Sequence, residues 1–140
     1  MNEPLRTSIR LRLMTGLYLV RGDEILLLWK TSGRVVKELW CPSAGGHFER
    51  DEINDPLSCV LRELKEETGL APDSLLNLSL RYVTVRAAQE ELRQNFYYFA
   101  ELVPEMDKSL TSTEGVLRWF REEETRDLPM PHTSRAVLRH

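Results

Sequence analysis

The chain has 140 residues, a mass of 16.3 kDa and 41% apolar residues, with only seven glycines and seven prolines, the balance of a single folded domain over residues 1–140 rather than of a disordered or fibrous chain. A formal net charge of −3 without any Lys/Arg tract excludes a nucleic-acid polymer as partner, because duplex binding needs concentrated positive charge. The longest apolar runs, Ile25 to Trp29 and Phe96 to Ala100, fall far short of the roughly 20 residues that span a bilayer, and Met1-Asn2-Glu3-Pro4 lacks a signal-peptide core, so the expectation is a cytoplasmic protein without a membrane partner.

Taken in chain order, apolar residues alternate through Ile9 to Leu13, continue from Leu17 to Val20 and resume over Ile25 to Trp29 after the turn-like Arg21-Gly22-Asp23-Glu24, which predicts a β-hairpin. A loop, Thr31 to Glu38, leads to Leu39-Trp40 and then to Ser43-Ala44-Gly45-Gly46, read as a flexible segment whose backbone can approach a ligand. From Asp55 to Thr68 the period becomes helical, with Asp55 as N-cap, Pro56 at the first helical position and Gly69 beyond the end. Leu75 to Ala88 and Leu92 to Val103 predict a second hairpin around Gln89-Glu90-Glu91, Gly115 to Phe120 a further strand, and His132 to Arg139 a short helix. No repeat or long linker divides the chain. This order suits an α/β domain with a mixed sheet covered by helices. Cys41 and Cys59 have no CxxC spacing and are expected as reduced, buried or half-buried thiols.

The charge is unevenly spread. Between Glu49 and Glu67 stand seven carboxylates, Glu49, Asp51, Glu52, Asp55, Glu63, Glu66 and Glu67, against three bases, Arg50, Arg62 and Lys65. At about 100° per residue, with Glu63 at zero, Glu67 falls near +40° and Glu66 near −60°, while Val60, Leu64, Leu57 and Leu61 spread from about +60° to about +160°. The apolar stripe should face the sheet, with the carboxylates flanking its edge. Like charges at i, i+3 and i+4 repel, so a cation makes the arrangement favourable, and magnesium takes one or two carboxylates together with substrate phosphates. An isolated Glu-x-x-Glu-Glu run is ordinarily a solvated helix face. Here Gly45-Gly46 upstream, Arg62, Gly69 and the abutting apolar stripe argue for a site.

These residues resemble the Nudix box, G-x5-E-x7-R-E-U-x-E-E-x-G-U with U aliphatic. Gly46-x5-Glu52 fits, and Arg62-Glu63-Leu64-Lys65-Glu66-Glu67-Thr68-Gly69-Leu70 fits at every specified position. Nine residues rather than seven separate Glu52 from Arg62, an insertion placed at Ile53-Asn54. Asp51 stands where glycine is common, and the residues before the glycines lack the usual adjoining proline.

The resemblance implies a Nudix fold, an α/β/α sandwich, and Mg²⁺-dependent hydrolysis, with Mn²⁺ as the substitute ion, of a nucleoside diphosphate linked to another group X. Nucleoside triphosphates, oxidised ones included, are among the substrates it suggests, and a homodimer is a family expectation. Carried over by position, Glu66 and Glu67 would be the main metal ligands, Glu63 a ligand or a base acting through water, the Gly46 carbonyl a further ligand, and Arg62 the partner that orients a box carboxylate. Glu52, beside the insertion, is an additional candidate. The rival readings are a non-catalytic nucleotide-binding or regulatory domain of the same fold and a Nudix-fold isomerase.

Outside the box, Glu114, Glu90 and Glu91 are candidates for a second base. Lys30, Arg34 and Lys37 could meet phosphates. Arg10 and Arg12 read as solvent-face charges, with substrate phosphate as the alternative, and Glu122-Glu123-Glu124 as a solvated run. His47 reads as a loop residue before a catalytic acid, and Tyr82, Tyr97, Phe96 and Trp119 as sheet-core aromatics before base-stacking ones.

Overall fold

A computed structural model describes residues 9–31 and 38–140, the Ser109 side chain excepted. Its centre is β1 (Arg10–Arg21), joined to β2 (Glu24–Lys30) through a turn in which Gly22 takes φ 60°. Along one edge β1 pairs in parallel with β6 (Glu91–Leu102), from Arg10 opposite Glu91 to Val20 opposite Glu101, and β5 (Leu75–Ala88) lies antiparallel beyond it. The other edge of β1 is shared: β2 pairs with Leu19–Arg21, and β4 (Ala44–His47) with Met14–Leu17. Beside β2 run β3 (Trp40–Cys41), at Leu28 and Trp29, and β7 (Gly115–Arg121).

The first two strands therefore fork beyond Leu19 and Leu26, and the β3–β4 segment fills the fork. Ser43 sits at the apex, 1% exposed. Its hydroxyl accepts from the Leu19 N–H at 3.0 Å and donates to the Leu26 carbonyl, so one side chain replaces the ladder bond lost where the strands part. This corrects the reading of Ser43-Ala44-Gly45-Gly46 as flexible: it is a buried bend running into a paired strand.

Alternation along the strands sends side chains to opposite faces. Leu17, Leu19, Leu26, Tyr98 and Ala100 pack with Val60 and Leu64 of α1 (Pro56–Thr68), whereas Tyr18, Ile25, Leu27 and Tyr97 pack with Val137 of α2 (His132–Leu138). Both faces of the central strands are thus buried, which is why β1 and β2 read as nearly continuous apolar runs. The result is the expected α/β/α sandwich with a mixed sheet. None of the helices among the described residues is long and apolar enough to cross a membrane, and Cys41 and Cys59 are free and buried.

The α1 helix begins and ends where its capping residues predict. The Asp55 side chain accepts from the Ser58 N–H at 3.2 Å, and Gly69 closes the helix at φ 78° with its N–H on the Lys65 carbonyl. The two extra residues are absorbed ahead of it. Glu52 ends a short 3₁₀ turn (Arg50–Glu52), and Asn54 takes φ 77° to redirect the chain into Asp55, a conformation that Asn tolerates better than most residues.

The orientation of α1 departs from the expected one. Cys59, Val60, Leu64 and Glu67 are buried, whereas Leu57 is 43% exposed. Since Cys59 lies at about −40° on the same wheel, the helix is rolled so that Glu63 and Glu67 stand within the buried face rather than beside it.

Candidate active site

The roll of α1 brings its carboxylates against β4. A side chain could not be accommodated at Gly45, which has φ 145° and where a Cβ would stand 2.3 Å from the Thr15 carbonyl oxygen; at Gly46 a Cβ would come within 2.6 Å of the Glu63 carboxyl carbon. The two glycines let the strand pass close to β1 on one side and to Glu63 on the other.

Arg62 ties the acidic segment together. Its Nε and Nη2 hold both oxygens of Glu52 at 2.6 and 3.0 Å, Nη1 reaches Glu63 and Glu66, each at 2.9 Å, and Nη2 also donates to the His47 carbonyl at 3.0 Å. The planar fork makes this multiple engagement possible; an ammonium would not. Glu52 also accepts from the Glu49 N–H at 2.8 Å. Bonded chiefly by Arg62, its carboxyl is held down at about 2. Glu52 is thus brought into the site despite the insertion, as a partner of Arg62.

Glu67 has the opposite environment. Buried, and facing Glu63 and Glu114 with a backbone donor from Gly45 at 3.4 Å, it is pushed up to about 9, first by desolvation and then by its acidic neighbours. A carboxylate so placed favours a counter-charge. Glu66 stays toward solvent, its oxygens on Arg62. Among the described residues, the acidic group whose ligand atoms come within 4.8 Å of one another is Glu49, Asp51 and Glu52, of which Glu49 and Glu52 are already engaged by Arg62. The Gly46 carbonyl faces the Thr15 hydroxyl at 3.4 Å.

Glu114 is delivered by the loop before β7. That loop is fastened to the end of α1 by the Thr113 N–H on the Glu67 carbonyl, at 2.8 Å, and to β2 by the Thr31 N–H on the Glu114 carbonyl, at 3.0 Å. The loop and the helix end thus set Glu67 and Glu114 on the wall of one cavity.

That cavity has a volume of about 290 Å³ and is lined by residues of β1, β2, β4, β5 and β6, by Glu67 of α1 and by the start of α2. Gly45, Gly46, Glu67 and Glu114 form one end; Leu28, Cys41, Pro42 and Tyr97 give it apolar walls; Lys30, His47, Arg86, Arg93, Thr84 and Asn95 supply polar groups. A concave, largely apolar site with a few convergent polar groups is the usual form of a small-molecule pocket. His47 is lowered by partial burial and then by the charge of Arg12, whose Nη2 lies 3.2 Å from its Nε2.

Of the other residues singled out in the sequence, Lys30 and Tyr97 line the cavity, the Tyr97 hydroxyl meeting that of Thr133 at 2.9 Å. Phe96 packs on Phe48, Tyr82 on Phe99, and Trp119 lies under the Arg21 guanidinium. Glu90 and Glu91 border a separate groove at the β5–β6 turn, with Glu91 paired to Arg12 and Arg93. Arg34 and Lys37 fall outside the described residues. Sequence reasoning missed Thr84, Arg86, Arg93 and Asn95. Their alternation in β5 and β6 could have put them on one face, but not against β1, because the β1–β6 pairing is parallel and spans some eighty positions.

Comparison with known proteins bears on the family and the fold. A family model described as NUDIX domain matches residues 10–140. No curated protein matches the chain. Among solved structures, a MutT NUDIX hydrolase from Burkholderia pseudomallei is 25% identical with a TM-score of 0.67, the match covering 93% of this chain and 97% of that one. A MutT protein from Methanosarcina mazei Go1 is 18% identical with a TM-score of 0.73, covering 94% and 92%. An Ap4A hydrolase from C. elegans, solved as a binary complex, is 20% identical with a TM-score of 0.67, covering 91% and 93%.

Proposed function

Because the chain belongs to the NUDIX domain family, we propose that it hydrolyses a nucleoside diphosphate linked to another group X, nucleoside triphosphates included, with the help of a divalent cation. The observation that carries this reading is the pairing, in one cavity, of a carboxylate end, buried Glu67 with half-buried Glu114, and cationic and hydrogen-bonding side chains.

The donor set fits a hard ion: carboxylate oxygens, one of them buried among other acids, and a backbone carbonyl on a strand kept free of side chains. Glu63, Glu66, Glu67 and the Gly46 carbonyl would hold it, as Mg²⁺ or Mn²⁺. When bound, such an ion neutralises phosphoryl charge and acidifies water.

The remaining contributions belong to the chain. Arg62 fixes Glu63 and Glu66 through one guanidinium and is itself held by Glu52, which restricts the rotamers of the acidic face. Glu114, close to Glu67 on the cavity wall, is the second-base candidate that the structure favours over Glu90 and Glu91, which face another groove. Lys30, on the cavity wall, would meet a phosphate oxygen, and the apolar wall with Tyr97 suits a nucleobase or another uncharged moiety.

The test is a panel of nucleoside triphosphates, dinucleoside polyphosphates and nucleotide sugars incubated with Mg²⁺, with Mn²⁺ or with chelator. The proposal expects turnover of at least one class that chelator abolishes. No turnover anywhere in the panel would refute it, and turnover insensitive to chelator would remove the metal from it.

A further inference from the structure

Three adjacent strands bring arginines into one row. The register sets Arg12 of β1 opposite Arg93 of β6, and Arg93 opposite Arg86 of β5. Directly paired residues share a face of the sheet, and Arg86 and Arg93 line the same cavity as Glu67. Like charges directly opposite one another destabilise a sheet. Among the described residues, Glu91 is the one carboxylate paired with the row, meeting Arg12 at 3.4 Å and also Arg93, while no ion pair or hydrogen bond engages the Arg86 guanidinium. The row therefore keeps an excess of positive charge.

Its position matters as much as its charge. Arg12 lies three residues along β1 from Thr15, the partner of Gly46, or about 10 Å at the usual strand rise. Arg12 itself leans toward that end, its Nη2 3.2 Å from His47, but Arg86 stands three strands from Gly46, about 14 Å across the sheet, so a phosphoryl group held at the carboxylate end is beyond its reach. Between the two lies a neutral row of Met14, Asn95 and Thr84, all on the cavity wall. The cavity reads as carboxylate end, neutral middle, guanidinium end, and paired guanidinium groups match the oxygens of a phosphate.

We propose that Arg12, Arg93 and Arg86 form a second anion site, which holds a phosphate carried by the substrate beyond the uncharged moiety seated on Asn95 and Thr84. The assignment to substrate rests on the hydrolase reading above, and it narrows that reading to nucleotides bearing a further phosphate distant from the bond cleaved.

Two measurements test this separately. In chelator, where no metal can contribute, inorganic pyrophosphate is titrated calorimetrically into the wild type, the double variant Arg86→Gln/Arg93→Gln and the charge-preserving Arg86→Lys/Arg93→Lys. The Gln variant should bind at least about tenfold more weakly, the Lys variant between the Gln variant and wild type because it keeps the charge and loses the planar fork, and wild-type binding should weaken with salt. Undiminished binding in the Gln variant overturns the site. With Mg²⁺, the wild type should show a lower KM for a nucleoside 5′-triphosphate carrying a 3′-phosphate than for the same nucleotide without it, and the Gln variant should lose that preference. Absence of the preference in a wild type that turns over both nucleotides overturns the assignment to substrate. If neither nucleotide nor any other diphosphate is hydrolysed, the hydrolase reading fails, while the pyrophosphate titration still decides whether the arginines bind an anion.

Discussion

Two box carboxylates less than a helix length from each other carry opposite perturbations. Glu52 is held down at about 2 by Arg62. Its folded-state value lies below the ordinary 4.5, so its stabilisation is fully present above that ordinary value and is lost as pH falls through about 2. Glu52→Gln should therefore cost roughly 1–3 kcal/mol at pH 7, a gap that closes in urea titrations run from pH 5 down to pH 2. Gly45→Ala is expected to be severe for a different reason: the added methyl would collide with the Thr15 carbonyl at 2.3 Å in a backbone geometry suited to glycine, a loss of about 3 kcal/mol visible as a lowered urea midpoint. Gly46→Ala meets a side chain rather than backbone, the Glu63 carboxylate that Arg62 holds, so it should displace Glu63 from that ion pair, cost less stability than Gly45→Ala and lower kcat. The identities of these residues could be read from the box spacing. Their division into a partner of Arg62 and a buried acid could not, because it depends on which oxygen each guanidinium nitrogen reaches.

The α1 helix was legible nearly to the residue, because its signals are local: an Asp cap, a first-turn proline, a left-handed glycine and a 3.6-residue apolar period. Its roll about its own axis was not. The apolar wheel alone placed Leu57 inward, but packing Val60 and Leu64 on Leu17 and Leu19 while seating Glu63 beside Gly46 turns Leu57 outward. Leu64→Ala should cost about 2–5 kcal/mol, whereas Leu57→Ala should cost under about 1 kcal/mol; equal losses in urea midpoint would contradict the observed roll. The short strands β3 and β4 escaped the sequence pattern for a related reason. Two and four residues are too few to show a period, and what stabilises them is the fork between β1 and β2, bridged by the Ser43 hydroxyl.

Across the molecule, the layered α/β order followed from strand alternation and from the helix between the two hairpins, and the family followed from a motif of about a sixth of the chain. The cavity did not, since it draws on β1, β2, β5, β6, the loop before β7 and the start of α2, whose mutual placement is set by long-range pairing. The fold keeps an acidic group, Glu67, buried beside the acids Glu63 and Glu114, a stability cost of the kind that functional sites retain. Burial raises its folded value toward about 9, so without metal the stability it detracts grows as pH rises above the ordinary carboxylate range. Removing the charge by Glu67→Gln should raise the metal-free Tm, more at pH 8 than at pH 5. Added Mg²⁺ should raise the Tm of the wild type by preferential binding to the folded state and that of Glu67→Gln far less. The most direct check of the central claim is the Mg²⁺-dependent turnover of the best panel nucleotide by folded wild type beside folded Glu67→Gln. The substitution should lower kcat by at least about a hundredfold while the Tm in chelator holds or rises; equal turnover by the two proteins would leave Glu67 without a part in the reaction.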